Sequence, residues 1–419
     1  MRLPCLALGL SSAMMLVAGT VHAGLSGRLE VLFDADNRPF RSSTGIEEWL
    51  DLAYDDPKRS LHGGVSAALS QREGEGQLYQ LYLEKTLDNR GDEIRLGRFL
   101  RADSIGFYSL DGFQLKHSIR WVIFAIYAGV PRRIEAFRSV DADAIYGVDL
   151  RSQAREVGRY SVDGWVGWQR FEQDEYVDRF HLGLRGAGKS SDKGMYPSAF
   201  SMSGSYVADE SWWEAAQVNT RWDLENTAHL RLDYETYEPA TDELSFRDRF
   251  YSLYARGRQS QLKVAYQFRH GQERTWSLIA RRVVREFGGA GYSGVVGFSQ
   301  HNLNRTGNGW LLSAQAERLE LVEDRSTSLY FEGEKPLSST LSAGISGVLQ
   351  YQEKQLTGDN RAAGIELRLE RMVKVESLPS GLYFSGEASH IWNSRLENEY
   401  RLGLRVSYHF DDRVREALQ

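Results

Sequence analysis

The sequence predicts an all-β protein, a transmembrane antiparallel up-and-down β-barrel of about 20 to 22 strands with no plug domain. The first observation is the stretch 400–410, in which apolar and polar or small residues alternate without a break; the apolar ones are Tyr400, Leu402, Leu404, Val406, Tyr408 and Phe410. Successive side chains of a strand point to opposite faces, so this stretch has one apolar face and one polar face. Similar alternation recurs along the chain, and no apolar run after residue 23 is long enough for a helix that crosses a membrane.

The first residues predict export. Arg2 precedes an apolar run that reaches Ala18, and residues 21–23 form a small-x-small cleavage site, which is typical of a secretory signal peptide. The predicted organisation is a signal peptide over 1–23, the barrel over 24–410 and a charged tail over 411–419. Cys5 is the one cysteine of the chain. The mature protein would therefore have no cysteine, which excludes disulfides, thiolate metal sites and covalent haem attachment.

Composition suits a barrel and argues against nucleic acid as a partner. The mean hydropathy of -0.46 is too hydrophilic for a helical membrane protein, but half of each barrel strand faces a polar lumen. Aromatic residues make up 12%, enough for girdles at both membrane interfaces. The net charge of -6 provides no basic surface for nucleic acid. Most of the 51 basic residues are arginine, which binds carboxylate or phosphate through a planar fork.

Amphipathic stretches follow one another with short, Gly- and Asn-rich turns between them. Gly45–Tyr54 is an uncertain strand because a pair of Glu residues interrupts its alternation. Phe246–Arg256 could be a strand or a short helix. The other predicted strands are 25–33, 61–70, 78–87, 93–99, 112–118, 121–129, 144–151, 160–171, 177–185, 197–207, 212–224, 228–237, 262–268, 275–285, 292–299, 310–319, 328–334, 341–351, 362–372, 382–392 and 400–410.

The longer connections are the candidates for functional loops. They are Ala35–Ser60, Arg101–Asp111, Pro131–Asp143, Ala187–Tyr196 and Glu238–Ser245. A barrel of this size encloses a wide lumen, and large barrels are commonly filled by a plug. Because no length is left for a plug before the first strand, we expect that inward-folded loops narrow the pore or that another molecule occupies it.

One local pattern carries a family resemblance. Residues 94–99 read Ile-Arg-Leu-Gly-Arg-Phe, and a loop separates them from Leu-Asp-Gly-Phe at 110–113. This pattern resembles porin-like outer-membrane barrels, including those that export acidic polysaccharide. The resemblance implies a barrel in which an arginine at this place points toward the pore. Alternation puts Arg95 on the lumen side, where Glu93 could neutralise it, whereas Arg98 is out of phase and requires a bulge or a loop.

The closing strand resembles the carboxy-terminal assembly signal of outer-membrane proteins, which typically ends in an aromatic residue. Tyr400, Leu402, Leu404, Val406, Tyr408 and Phe410 form that signal here, with Phe410 as the terminal aromatic residue. The sequence departs from the pattern because a charged tail, 411–419, follows.

Alternation also selects residues that face the lumen. The pore-lining candidates are Arg95, Arg231, Asp233, Glu235, Lys263, Arg269, Glu366, Arg368, Glu370, Arg401 and Arg405. Mixed charges across a pore order water and filter solutes by charge. The predicted function is passive diffusion of small, anionic solutes through the outer membrane of a Gram-negative bacterium. The expected partners are outer-membrane lipid, the barrel-assembly machinery, small solutes or a polyanion, and a periplasmic protein; no cofactor is predicted.

Three other functions were weighed. The protein could be a sheath whose lumen houses a multihaem cytochrome, because the barrel is large and no plug is predicted. It could also be an exporter of acidic polysaccharide, because it is rich in arginine. Catalysis is not predicted. His117 and Ser118 are adjacent on a strand and so point to opposite faces, and the histidines lack a metal-binding spacing.

Overall fold

The computed structural model describes residues 24–411 except for 38–42, 71–74, 88–90, 104–105, 134–143, 173–175, 189–195, 209–211, 226, 239–256, 272, 287–288, 303–308, 321–323, 355–359, 375–380 and 396–397. The predicted signal peptide, the ambiguous segment Phe246–Arg256 and the tail beyond Asp411 lie outside the described residues. No helix in the part of the chain that the structure describes is long and apolar enough to cross a bilayer.

Twenty-three strand segments make up the described chain. They are β1 Gly24–Asp36, β2 Ser43–Asp56, β3 Leu61–Ser70, β4 Glu75–Thr86, β5 Glu93–Asp103, β6 Gly106–Ile119, β7 Val122–Arg133, β8 Ala144–Ser152, β9 Arg155–Val157, β10 Tyr160–Glu172, β11 Tyr176–Gly188, β12 Ala199–Val207, β13 Trp212–Glu225, β14 Ala228–Tyr237, β15 Gln259–His270, β16 Arg274–Arg285, β17 Gly289–Asn302, β18 Trp310–Glu320, β19 Asp324–Pro336, β20 Leu341–Lys354, β21 Asn360–Val373, β22 Leu382–Asn393 and β23 Glu399–Asp411.

The strands form one closed antiparallel barrel. Each pairs with its neighbour in the sequence, and β23 returns to pair with β1, from Ser26↔Asp411 to Asp36↔Arg401. Segments β8 and β9 both pair with β10 and are pieces of one interrupted strand, so the 23 segments make a barrel of 22 strands. The predicted fold class is confirmed, with the strand number at the upper end of the expected range. Gly24 and Asp411 lie at the same edge of the barrel, here called the terminal rim; the opposite edge is the far rim.

The outer surface of the barrel is apolar. Leu81 and Leu83 on β4, and Leu402 and Leu404 on β23, are each about half exposed. They belong to a large set of exposed Leu, Val, Ile and aromatic side chains that recurs on nearly every strand. So much exposed apolar surface is unfavourable in water and matches the lipid-facing band of a transmembrane barrel.

Two of the predicted loops are wrong. Ala35–Ser60 contains the whole of β2, and Arg101–Asp111 lies almost entirely in the hairpin of β5 and β6. The predicted strand ended at Phe99, and the segment up to Asp111 was predicted to be a loop. Strand pairing nevertheless continues to Asp103↔Gly106, since both strands of this hairpin bury apolar side chains on the same face.

A row of glycines crosses the sheet within this hairpin. Gly97 on β5 pairs with Gly112 on β6, which pairs with Gly129 on β7. Gly97 has a φ of +109°, a conformation that favours glycine. A Cβ on Gly112 would fall 2.0 Å from the Ala128 carbonyl oxygen. The backbones therefore approach too closely for any side chain, and the sheet can bend sharply at this row.

The sheet bends toward the lumen at the glycine row. Arg101 Nη1 donates to Gln114 Oε1 over 2.9 Å. Gln114 pairs with Arg95, six residues before Arg101, which in a straight strand is about 20 Å away. These two side chains cannot meet across a flat sheet, but they meet readily when both lie on the inner side of a bend. Residues 98–103 and 106–111, here called the curled hairpin, are thus folded into the barrel.

Side chains hydrogen-bond to backbone carbonyl groups where the curled hairpin leaves the wall. The β4–β5 register ends at Leu81↔Arg98, and β4 carries a bulge at Tyr79, because Ser66 pairs with Gln80 and Ala67 with Leu78. Arg98 Nη1 donates to the Leu78 carbonyl oxygen over 2.7 Å. Ser109 Oγ donates to the Tyr79 carbonyl oxygen over 2.8 Å. Arg98, out of phase in the sequence, thus lies beside a bulge and bonds the backbone that β5 no longer pairs.

Gly112→Ala tests the bend. We expect the added methyl group to lower the free energy of unfolding by about 1–3 kcal/mol, because it meets the Ala128 carbonyl oxygen. Gly294→Ala is the matched control on β17, since nothing lies within 4 Å of the added Cβ, and its effect should stay within about 0.5 kcal/mol. Urea unfolding of the detergent-refolded barrel measures both, and equal stabilities would contradict the bend.

Candidate functional site in the barrel lumen

The curled hairpin packs onto the inner wall and forms a small apolar core inside the barrel. Phe99, Tyr108 and Leu110 of the hairpin bury their side chains together with those of Tyr127, Ile145 and Phe171. The partners lie on β7, β8 and β10, near the far rim. Burial of aromatic and aliphatic side chains of this size stabilises by about 1.5–3 kcal/mol each. The hairpin is therefore held in the lumen by packing, and the lumen is narrowed near the far rim.

Arg101 fastens the hairpin through polar contacts. Its guanidinium carbon lies 3.4 Å from the centre of the Tyr127 ring, and Nη2 donates to Asp149 Oδ2 over 2.8 Å. Asp149 Oδ1 is also 3.1 Å from Nε2 of His181. Strands β5 and β8 are separated along the wall by about 14 Å, so this ion pair forms only because the hairpin is folded across the inner face.

A fully buried ion pair lies beside this core. Arg179 Nη2 is 3.2 Å from Glu214 Oε1, and the two side chains are 0% and 3% exposed. The guanidinium carbon lies 5.2 Å from the Phe171 ring centre, and Ser205 Oγ donates to Glu214 over 2.9 Å. Glu214 is the extra residue of a bulge in β13, because Tyr206 pairs with Trp213 and Ser205 with Ala215. The bulge turns a carboxylate into the lumen wall opposite a buried arginine.

The structure places all of the predicted pore-lining residues on the inner face. Their neighbours in sequence on β14, β15, β21 and β23 include exposed apolar residues of the outer face, such as Tyr234, Leu262, Leu367 and Leu402. The residues so placed are Arg95, Arg231, Asp233, Glu235, Lys263, Arg269, Glu366, Arg368, Glu370, Arg401 and Arg405. Their part in conduction remains a prediction.

Most of the arginines in this set are bound to carboxylates. Arg95 Nε donates to Glu84 Oε2 over 2.6 Å, whereas Glu93, the partner expected from sequence, accepts from Lys116 instead. The remaining pairs are Arg231–Asp233 at 2.6 Å, Arg368–Glu366 at 3.1 Å, Arg401–Asp34 at 2.9 Å and Arg405–Glu30 at 3.5 Å. These side chains stay partly exposed to the lumen, so each arginine can pair with its carboxylate and also contact a solute.

Unequal charge divides the lumen into two regions. A basic wall on the inner face of β14–β16 contains five cations, Arg231, Lys263, Arg269, Arg281 and Arg285, against the two carboxylates Asp233 and Glu235. Lys263 pairs in register with Arg281 on one side and with Asp233 on the other, and Nε of Arg281 is buried without a hydrogen-bond partner in the described chain. An acidic wall on β18–β21 contains Glu317, Glu332, Glu334, Glu366 and Glu370. Only β17 separates the two walls, so the charge of the inner surface changes sign over a short arc of the barrel.

The predicted assembly strand is β23, which closes the barrel. Tyr400, Leu402, Leu404 and Val406 are exposed on the outer face, Tyr408 is half-buried, and the Phe410 side chain is buried. Phe410 lies over Gly27 of β1, where a Cβ would come within 2.8 Å of its ring. The strand extends one residue further than predicted, to Asp411.

Histidine–aspartate contacts occur at several places without forming a metal site. The ring nitrogens of His62, His117, His181 and His229 each lie 2.5–3.1 Å from an aspartate oxygen. No group of three or more His, Cys, Asp or Glu residues that could hold a metal ion occurs in the described ranges. His117 bonds Asp92 through its side chain, whereas Ser118 does so through its backbone N–H, which is consistent with side chains on opposite faces.

The curled hairpin, the Arg101–Asp149–His181 contacts and the Arg179–Glu214 pair were missed from sequence. The signal for the bend was present as three glycines, at 97, 112 and 129, but their alignment is visible only when the strand register is known. The distance along the sequence between Arg101 and Asp149 gives no hint of their contact.

Comparison with known proteins shows similarity in architecture only. No family model matches the chain, and no match was found among curated proteins. Among solved structures, a BenF-like porin from Pseudomonas fluorescens Pf-5 is similar with a TM-score of 0.48 and 10% identity, over 93% of this chain and 99% of that one. Pseudomonas aeruginosa OccK3 (OpdO) gives a TM-score of 0.44 and 13% identity, over 92% and 96%. The translocation pore of the P pilus usher PapC gives 0.42 and 9%, over 92% and 99%.

The buried Arg179–Glu214 ion pair predicts how substitutions at these two positions change stability. Arg179→Met leaves Glu214 buried without its cation and should lower the free energy of unfolding by about 3–5 kcal/mol. The double variant Arg179→Met/Glu214→Leu removes both charges and should recover most of that loss. Arg318→Met is the control, because its partner Glu320 is half exposed and such pairs contribute about 0–1 kcal/mol. Urea unfolding measures all three; a double variant no more stable than Arg179→Met would contradict the buried-charge explanation.

Proposed function

We propose that the protein is an outer-membrane porin-like channel for the passive diffusion of small solutes. One observation carries the proposal: the closed barrel is apolar outside, while charged and polar side chains line the described inner wall apart from the small apolar core under the curled hairpin. An apolar outer band suits lipid, and a polar lumen in a barrel of this size holds water. Export through the predicted signal peptide over 1–23 is part of the same proposal.

The curled hairpin supports a selective channel rather than an open one. It occupies lumen space near the far rim and is fixed there by an apolar core and by Arg101. A solute must pass between this hairpin and the opposite wall, so solute size is filtered at one level of the barrel. The same obstruction speaks against a sheath for a multihaem cytochrome, because a folded partner would need the space that the hairpin fills.

The two charged walls support sorting of solutes by charge. The basic wall of β14–β16 offers anions a path on which Lys263 and Arg281 stand side by side. The acidic wall offers the same to cations. We propose that small anions follow the basic wall, in agreement with the preference expected from sequence.

Single-channel recording tests the proposed function. The purified barrel, reconstituted in a planar bilayer, should give steady conductance steps, and polymers of graded size should be excluded above one cutoff. Lack of any conductance from a folded barrel, verified by its heat-modifiable mobility on a gel, would overturn the proposal. Haem copurification or a lumen filled by another chain would favour the sheath instead.

Charge reversal on the basic wall tests the path for anions. In a salt gradient, Lys263→Glu/Arg281→Glu should shift the reversal potential toward cation preference, because two adjacent positive charges become negative. Lys335→Glu is the control for a single charge reversal away from the basic wall, at the exposed end of β19 beside Pro336, and should shift the reversal potential much less. Equal reversal potentials for the basic-wall variant and the native protein would rule out this path.

A further inference from the structure

A cavity of about 520 Å³ opens on the inner wall beside the curled hairpin. Ala102 of the hairpin contributes to its edge, and Trp165, His181, Gln217 and Glu235 of the wall contribute to its lining. The volume lies in the range of small-molecule sites. Because the cavity adjoins the narrowed part of the lumen, a solute that crosses the barrel passes it.

Trp165 forms an aromatic platform in this cavity. Gly183 is its register partner on β11, and a Cβ there would fall 2.1 Å from Trp165 Cζ2. The indole therefore lies across the backbone of the neighbouring strand, in the space that a side chain would take. The same side chain lines the cavity. The face of an aromatic ring is negative and attracts polarised C–H groups, such as those on one side of a pyranose.

Side chains that can form hydrogen bonds lie in register with Trp165 on the neighbouring strands. One row of pairs across six strands consists of Arg151, Trp165, Gly183, Ser203, Gln217 and Glu235. Arg185 Nε donates to Asp163 Oδ1 over 2.6 Å, and Arg151 Nη2 is 3.4 Å from Oδ2 of the same carboxylate. Both guanidinium groups are about half exposed, and each has five N–H donors, so donors remain for a ligand.

The charges around the cavity balance. Three cations stand against three carboxylates: Arg101, Arg151 and Arg185, and Asp149, Asp163 and Glu235. A balanced set gives no net attraction for an ion, unlike the basic wall. A flat apolar ligand would need a second aromatic wall facing Trp165, whereas no other Phe, Tyr or Trp belongs to the described lining and half of the lining residues are polar or charged. The ligand that matches is uncharged, has one apolar face and carries many hydroxyl groups.

We propose that this cavity is a binding subsite for a neutral saccharide, with one pyranose ring against Trp165 and its hydroxyl groups bonded by Arg151, Arg185 and Gln217. The inference deepens the proposed function, because it names a solute class that the channel retains at its constriction.

Calorimetric titration of the barrel in detergent tests the subsite with maltotriose, cellotriose and raffinose as probes. We expect at least one of these sugars to bind. Trp165→Ala should weaken that binding about 10-fold, because the platform is lost. Trp165→Phe, which keeps an aromatic face, should stay within about threefold of the native protein. Trp276→Ala is the control, because Trp276 lies on the outer face, 4.7 Å from the Phe298 ring, and should leave binding unchanged.

The outcomes separate this inference from the proposed function. If none of the three sugars binds a barrel that conducts ions, the subsite is refuted and the channel stands. Equal affinities of the native protein and Trp165→Ala would also overturn the subsite. If sugar binds through Trp165 but no conductance is found, the subsite stands and the channel is refuted.

Discussion

Backbone pairing is the constraint on which the rest of this structure depends. In lipid, no water satisfies a free N–H or C=O group, so a sheet must close on itself. Pairing of β23 with β1 achieves this over 11 register pairs. The same constraint governs the place where β5 leaves β4 and the described wall opens. Where β5 leaves β4, Arg98 and Ser109 supply the hydrogen bonds that a neighbouring strand would have given.

Because β5 separates from β4, the curled hairpin can fold into the lumen. The glycine row at 97, 112 and 129 permits the bend, and the apolar residues of the curled hairpin then find partners on β7, β8 and β10. The result is a small core within a lumen that is otherwise polar. No separate domain is needed to narrow the pore, since a hairpin of the wall itself does so.

Two kinds of polar surface follow from this arrangement. Far from the hairpin, the neighbouring basic and acidic walls leave charges partly exposed to the lumen. Near the hairpin, burial forces charges into pairs, as for Arg179 with Glu214 and Arg101 with Asp149. Charged side chains stay partly exposed in the wide part of the lumen, whereas those buried near the hairpin are paired, because burial of an unpaired charge is costly.

The sequence by itself determined the barrel, its outward apolar face and the inward side of residues such as Arg95, Lys263 and Arg401, because alternation with a period of two depends only on local geometry. It also indicated that inward-folded loops narrow the lumen or that another molecule occupies it. Only the tertiary structure decided what narrows it. Strand register and a bend in the sheet determine the contact of Arg101 with Asp149, the alignment of the three glycines and the placement of Trp165 over Gly183. The spacing of residues along one strand predicts neither the register nor the bend.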